Sequence, residues 1–188
     1  MKHLAQMKLP QLTYLNLSGN QIRAEGMENL ARMDLLKLTY LNLANMSINH
    51  EEMEIFKQMK LPGLTHLNLG RNFLRAEGIK HFASMELPQL TELILHNNDI
   101  GEEGMFYFAQ MKLPQLTLLD LSNNFKGDEA MYYFAQIKLP QFTSLYLCDN
   151  NIGDKGMFYL AQTKLPNLNQ LYLVWNMFRE GAMGTLRK

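Results

Sequence analysis

The chain holds one cysteine, Cys148, and one tryptophan, Trp175, among 188 residues. A single cysteine excludes an internal disulfide and agrees with a reducing compartment, so a cytoplasmic location is expected. No excess of either charge is present: Lys plus Arg and Asp plus Glu both number 18. With no global field toward polyanions, neither a nucleic-acid partner nor a membrane surface is expected. No stretch approaches the ~20 consecutive apolar residues of a spanning helix, and the opening MKHLAQMKLPQ has no apolar core of a secretion signal. Motifs of the common enzyme classes are also missing: no G-x-x-x-x-G-K-S/T, no H-E-x-x-H, no C-x-x-C, no G-x-S-x-G. A non-enzyme without cofactor or metal is expected, since His3, His50, His66, His81 and His96 fall at different places in the pattern described next. The nearest approach to a catalytic constellation is His96, Ser122, Cys148 and Asp149. His96 and Cys148 would stand two strands apart, roughly 10 Å, beyond the ~3 Å that a nucleophile and its base need. Cys148 is better read as a small packing residue.

What the chain has instead is a period. LTYLNLSGNQI at Leu12 recurs with small changes at Leu38, Leu64, Leu90, Leu116, Phe142 and Leu168, each start 26 residues after the last. A fixed period of this length signals stacked supersecondary units that share one elongated core, because no unit can bury its apolar face alone. In the first copy Leu12, Leu15, Leu17 and Ile22 follow L-x-x-L-x-L-x-x-N-x-L. Alternation turns Leu15 and Leu17 inward and Tyr14 and Asn16 outward, as in a short strand of a parallel sheet. The following AEGMENLARMD carries Met27, Leu30, Ala31 and Met33 at helical spacing, with Glu25 near the positive end of the helix. Pro10, Pro62, Pro88, Pro114, Pro140 and Pro166 stand where the chain leaves helix for strand. With 47% apolar residues, residues 1–188 are expected to form a single domain: a partial helix over 1–8, then repeats starting at 9, 35, 61, 87, 113, 139 and 165.

These motifs resemble the ribonuclease-inhibitor-like subfamily of leucine-rich repeat proteins, whose helices often open on E-G-M or E-G-A. Glu25-Gly26-Met27, Ala76-Glu77-Gly78, Glu103-Gly104-Met105 and Lys155-Gly156-Met157 carry the likeness over nearly the whole chain. The resemblance implies an α/β leucine-rich repeat solenoid, a right-handed horseshoe arc with seven parallel strands on the concave face and helices on the convex face. It also implies a protein partner, since relatives bind enzymes and occlude their active sites. Short arrays of this kind serve bacterial effectors, Legionella-type among them, inside host cells, and the methionine- and asparagine-rich composition is similar to theirs. Other members activate a small GTPase, though no motif here selects that activity.

Residues repeated in register answer first to stacking. Asn20, Asn72, Asn98, Asn124, Asn150 and Asn176 form such a ladder, expected to satisfy backbone groups at the strand ends. Met46 interrupts it, which predicts a looser corner where water or another side chain replaces the amide. Lys126 takes the place of Ile22, Ile48, Leu74, Ile100 and Ile152. A buried unpaired ammonium is costly, so Lys126 should turn outward while Phe125 fills the site. No capping module is recognisable at either end, so the chain is either a segment of a longer repeat protein or closed by its own terminal helices.

Function should lie where spacing is kept and chemistry changes. The first outward column is Tyr14, Tyr40, His66, Glu92, Leu118, Ser144, Gln170, and the second is Asn16, Asn42, Asn68, Ile94, Asp120, Tyr146, Tyr172. Just past the strands come Gly19, Asn45, Arg71, Asn97, Asn123, Asp149 and Trp175. From these the expected partner-binding set is Tyr146, Tyr172, Trp175, Asp149 and Asp120, gathered in one cluster, with Glu92, His66, Arg71, Tyr40 and Tyr14 extending it. The bland alternative is that the exposed aromatics pack only on one another. The expected partner is a protein with a basic or mixed patch, an enzyme being one candidate, bound by a chain that is monomeric on its own. On the helices Phe106, Tyr107, Tyr132, Tyr133, Phe158 and Tyr159 repeat in register; a lateral packing ladder is expected, a convex docking patch being the alternative.

Overall fold

A computed structural model of the chain describes His3 and residues 6–179. Thirteen elements alternate strictly: β1 (Tyr14–Asn16), α1 (Ala24–Ala31), β2 (Tyr40–Asn42), α2 (His50–Phe56), β3 (His66–Asn68), α3 (Arg75–Ala83), β4 (Glu92–Ile94), α4 (Gly101–Phe108), β5 (Leu118–Asp120), α5 (Glu129–Phe134), β6 (Ser144–Tyr146), α6 (Asp154–Ala161) and β7 (Gln170–Tyr172). The strands form one parallel sheet in chain order, paired in register so that each residue faces the one 26 positions on, as Tyr14 faces Tyr40. Strands ~4.8 Å apart on one side and helices 8–10 Å apart on the other force the stack into an arc, with the sheet on its concave face. Of the partial helix expected over 1–8, residues 1, 2, 4 and 5 lie outside the described residues, and 6–8 are turn and irregular backbone. Residues 180–188 also lie outside them.

Each turn of the arc buries the same positions. Met27, Met53, Ile79, Met105, Met131 and Met157 are fully buried on successive helices. Phe56, Phe82, Phe108 and Phe134 make a second spine one turn further along, no more than 1% exposed. The helices of six to nine residues are too short to be stable alone, so packing holds them. Asn49 and Glu52 close a capping box at the start of α2, which accounts for the burial of the Glu52 carboxylate at 6% exposure. Gly104 lets α4 approach α3, where a Cβ would press on Ala76 Cα at 3.4 Å, and it also spares Ile100 Cγ2, just before α4, a collision.

The prolines have a more specific place than the exit from a helix. Leu12 N–H donates to Leu9 O at 3.0 Å, and the same i to i+3 turn recurs at Leu61–Leu64 and Leu87–Leu90. Pro10, Pro62 and Pro88 occupy its second position, for which their fixed φ is suited.

Two hydrogen-bond ladders stitch the copies. Asn98 Nδ2 donates to Leu69 O at 2.9 Å and to Leu95 O at 2.8 Å, and Leu69 O also receives Asn72 Nδ2 at 2.9 Å. The expected asparagine role therefore holds. Threonines form the second ladder: Thr39, Thr65, Thr91, Thr117 and Thr143 each donate Oγ1 to the carbonyl of the residue one copy earlier, at 2.9–3.1 Å.

At Met46 the acceptor half of the amide is lost, as the break in the ladder predicts: Ile48 and Ile152 N–H donate to Asn72 and Asn176 Oδ1 at 3.0 Å, and Ile22 N–H has no such oxygen. The corner is closed: Met46 is 1% exposed, and its own carbonyl accepts Ile22 N–H at 3.4 Å. The carbonyls an asparagine would serve are already engaged, Leu17 O by Asn20 Nδ2 at 2.8 Å and Leu43 O by Asn72 Nδ2 at 2.9 Å. Inside the ladder a strand-end carbonyl such as Leu69 O receives two amides, so losing one asparagine leaves one donor for each, and a buried thioether fills the space. Lys126 behaves as its charge dictates. Its side chain is 84% exposed and pairs with Asp99 at 3.3 Å, while Phe125 is buried at 4%.

Candidate functional site

In-register parallel pairing places like residues side by side, and on the sheet face this builds two tyrosine stacks. Tyr14 and Tyr40 lie 4.1 Å apart between ring centroids with planes 8° from parallel. Tyr146 and Tyr172 lie 4.3 Å apart at 5°. The two stacks stand four strands apart, about 19 Å from β2 to β6. Burial, then the hydrogen bond to its stacking partner, raises the Tyr40 phenol above its ordinary pKa, and the same causes in the same order act on Tyr146.

The first stack continues into a polar row. The Tyr40 ring lies 6.0 Å from that of His66. His66 Nε2 is 3.3 Å from Glu92 Oε1 on the next strand, and His66 Nδ1 is 2.8 Å from Thr65 Oγ1. Tyr14, Tyr40, His66 and Glu92 thus form one continuous band across β1 to β4.

The second outward column has a structural duty that the sequence pattern concealed. Asn16, Asn42, Asn68 and Asp120 each accept, through Oδ1, the backbone N–H two residues on, at 2.9–3.0 Å. These side-chain turns close the strand ends. Asp120 is therefore partly committed to Ser122 N–H and is less free to meet a partner than its charge suggests. Ile94, Tyr146 and Tyr172 stand at the same register without that capacity. The signal was available in the column's Asn and Asp content.

The column just past the strands shares a backbone conformation. Gly19, Asn45, Arg71, Asn97, Asn123, Asp149 and Trp175 all have φ between 52° and 74°. Glycine, asparagine and aspartate adopt that left-handed region readily; Arg71 and above all Trp175, at φ 59°, do so against side-chain sterics. Asn123 Nδ2 donates to Asn97 Oδ1 at 2.6 Å, tying part of the column together.

Trp175 adds no third ring to the Tyr146–Tyr172 stack: among the described residues its indole forms no ring pair, and it is 79% exposed. Its backbone is left-handed just past the strand end, and nearby in the chain Val174 and Met177 are 56% and 71% exposed. Asp149 and Arg71 are exposed in the same column, and among the described residues neither forms an ion pair. The concave floor thus presents carboxylates at Glu92, Asp120 and Asp149, with His66 and Arg71 as the facing basic groups.

The expected helix ladder is present. Phe106 meets Tyr133 at 5.6 Å and Tyr132 meets Tyr159 at 5.5 Å, both edge-on.

Among the described residues no three His, Cys, Asp or Glu side chains are grouped to hold a metal ion, and no helix is long and apolar enough to cross a membrane.

Residues 8–31, 87–109 and 140–161 match the family model described as Leucine Rich repeat. These are the first, fourth and sixth copies of the unit, and the copies between them share its period, register and hydrogen-bond ladders. Among solved structures an internalin (InlF) from Listeria monocytogenes is similar, with 19% identity over 100% of this chain and 68% of that chain and a TM-score of 0.46. At that likeness nothing about a partner passes from one protein to the other. No curated protein sequence matches the chain.

Proposed function

We propose that this leucine-rich repeat arc is a non-enzymatic protein-binding module that grips one partner with its concave sheet face. The observation that carries this is the replacement of strand-end Asn or Asp by Tyr146 and Tyr172. The last two copies give up a side-chain hydrogen bond of the kind made by Asn16, Asn42, Asn68 and Asp120, and present stacked aromatic surface instead. Stacking of the solenoid does not require that exchange, and rigid tyrosines beside carboxylates are the usual anchors of protein interfaces. Trp175, exposed in a conformation costly for its side chain, supports the same face. Seven strands at ~4.8 Å span roughly 30 Å, enough for the ~800 Å² per partner of an ordinary interface.

The concrete form we favour is an inhibitor or regulator that covers the active site of a partner enzyme, acting as a bacterial effector in a host cytosol. The partner carries a basic or mixed patch opposite Glu92, Asp120 and Asp149, which sets association rate and specificity more than affinity. A second reading is a structural or ligand-sensing segment of a larger repeat protein. Capture from a host lysate by the wild-type chain and by Tyr146→Ala/Tyr172→Ala/Trp175→Ala separates the two. Loss of one specific enzyme in the variant, with inhibition of that enzyme by the wild type, supports the first; unchanged capture contradicts it.

A further inference from the structure

We propose that the aromatic ladder on the outer helix face is a second binding surface, which accepts an arginine-bearing segment of a partner protein between Tyr132, Tyr133 and Tyr159.

Packing alone does not explain the ladder. Rings connect across three helices, Tyr107 to Phe106 at 5.4 Å, Phe106 to Tyr133 at 5.6 Å, Tyr133 to Tyr132 at 5.3 Å, Tyr132 to Tyr159 at 5.5 Å and Tyr159 to Phe158 at 6.0 Å. In each pair the inner ring is half-buried, yet the outer member stays open: Phe106 is 46%, Tyr132 50% and Phe158 54% exposed. The same register holds Glu28, Glu54 and Lys80 in earlier copies. Stacking therefore tolerates charged, solvated side chains at this place, and three successive copies carry aromatics instead. A contiguous exposed aromatic strip of that kind marks an interaction surface.

The chemistry of the occupant is written around the strip. Lys80 Nζ lies 5.7 Å from the centroid of Tyr107, and Lys155 Nζ lies 5.8 Å from that of Tyr159. The protein's own ammonium groups thus sit on both flanks of the ladder, where ring faces attract cations. Lys80 holds toward Tyr107 the place that Phe106 holds toward Tyr133, one copy on. At the middle rung a cleft of about 280 Å³ is lined by Glu102, Glu129, Tyr132, Tyr133 and Tyr159. Glu129 is paired with Lys155 at 3.2 Å, but among the described residues Glu102 has no cationic partner. Aromatic faces with an uncompensated carboxylate suit a planar guanidinium, which can stack on a ring and donate two parallel hydrogen bonds to the acid. The same carboxylates repel phosphate, so an anionic lipid surface or a nucleic acid does not fit.

The test is a titration of the whole 188-residue chain, followed by NMR at low salt, with the blocked peptide Gly-Arg-Gly-Arg-Gly and with its citrulline counterpart. Saturable shifts confined to α4, α5 and α6, lost at high salt and absent with citrulline, are expected. Glu102→Gln/Glu129→Gln and, separately, Tyr132→Ala should each raise the dissociation constant at least tenfold while the remaining spectrum stays native. Tyr146→Ala/Tyr172→Ala should leave it unchanged, so failure of the concave-face proposal and failure of this one are distinguishable. No saturable shift, equal binding of the citrulline peptide, shifts centred on Asp120 and Asp149, or preferential binding to anionic vesicles would each overturn it.

Discussion

Tyr146 and Tyr172 stack with ring centroids 4.3 Å apart because β6 and β7 pair in register, and each stands where an earlier copy uses an asparagine or aspartate to close the strand end. The pair shows how one position can pass from scaffold to surface without disturbing the fold. It also has a titration signature. Burial and then the hydrogen bond with Tyr172 raise the Tyr146 phenol above its ordinary range. A raised pKa means that the stability tied to the neutral phenol is present below about pH 10 and is lost as pH rises through the folded value. Tyr172→Phe should lower the Tyr146 pKa toward the usual value while burial keeps it somewhat above, read by ultraviolet absorbance titration.

Breaking the asparagine ladder should be expensive. Asn98 is 1% exposed and donates to Leu69 O and Leu95 O. Asn98→Ala leaves each carbonyl with one amide where it had two and removes the oxygen that accepts Leu74 N–H at 3.4 Å. A loss of about 2 kcal/mol is expected, since each buried polar group deprived of a partner costs ~1–3 kcal/mol and the carbonyls retain one donor. Urea unfolding with an unchanged slope would measure it.

Gly104→Ala should destabilise by about 1–3 kcal/mol, the usual range for overpacking. The new Cβ would collide with Ile100 Cγ2, on the residue that precedes α4, and press on Ala76 Cα of α3 at 3.4 Å. Ala130 holds the same register on α5 and is buried there at 2%, so Ala130→Gly should bring no comparable gain. Equal thermal midpoints for wild type and Gly104→Ala would show that the helices yield.

Acid should weaken the helix side through His81. Burial first, and the neighbouring Lys57 second, lower its pKa. Lys57 Nζ lies 3.2 Å from His81 Nδ1, so protonation breaks that contact and sets two cations together. With the folded pKa depressed, the unfolded chain binds more protons, and stability is lost as pH falls below about 6.5 toward the folded value. His81→Gln should flatten this part of the stability–pH curve, and denaturant titrations across that window would show it.

The scaffold was legible in the sequence because stacking repeats its demands: Leu15, Met27 and Asn72 recur 26 residues on with the same job. The surface was less so, because outward positions answer to two requirements at once. Asp120 looked like a partner contact, and its carboxylate is partly spent on Ser122 N–H. Trp175 was expected in one cluster with Tyr146 and Tyr172, and the left-handed backbone it holds, set by the turn and not by the side chain, gave no sign in the pattern. At Met46 the period predicted a defect; neighbouring amides still serve the Leu17 and Leu43 carbonyls, while Ile22 N–H loses its amide acceptor and reaches Met46 O at 3.4 Å. Threonine hydroxyls and the side-chain turns at Asn16, Asn42 and Asn68 were visible as repeated letters, but their partners are backbone atoms, to which a side-chain pattern gives no pointer.

A macromolecular partner should cover the concave sheet face. Hydroxyl-radical footprinting of the chain, alone and with its captured partner, reads both faces at once, because exposed aromatics oxidise readily on each. Protection of Tyr146, Tyr172 and Trp175, whether or not Phe106, Tyr132 and Phe158 are protected as well, is the predicted result. Protection of the three helix residues with Tyr146 and Tyr172 unchanged would contradict the claim that this arc binds through its sheet.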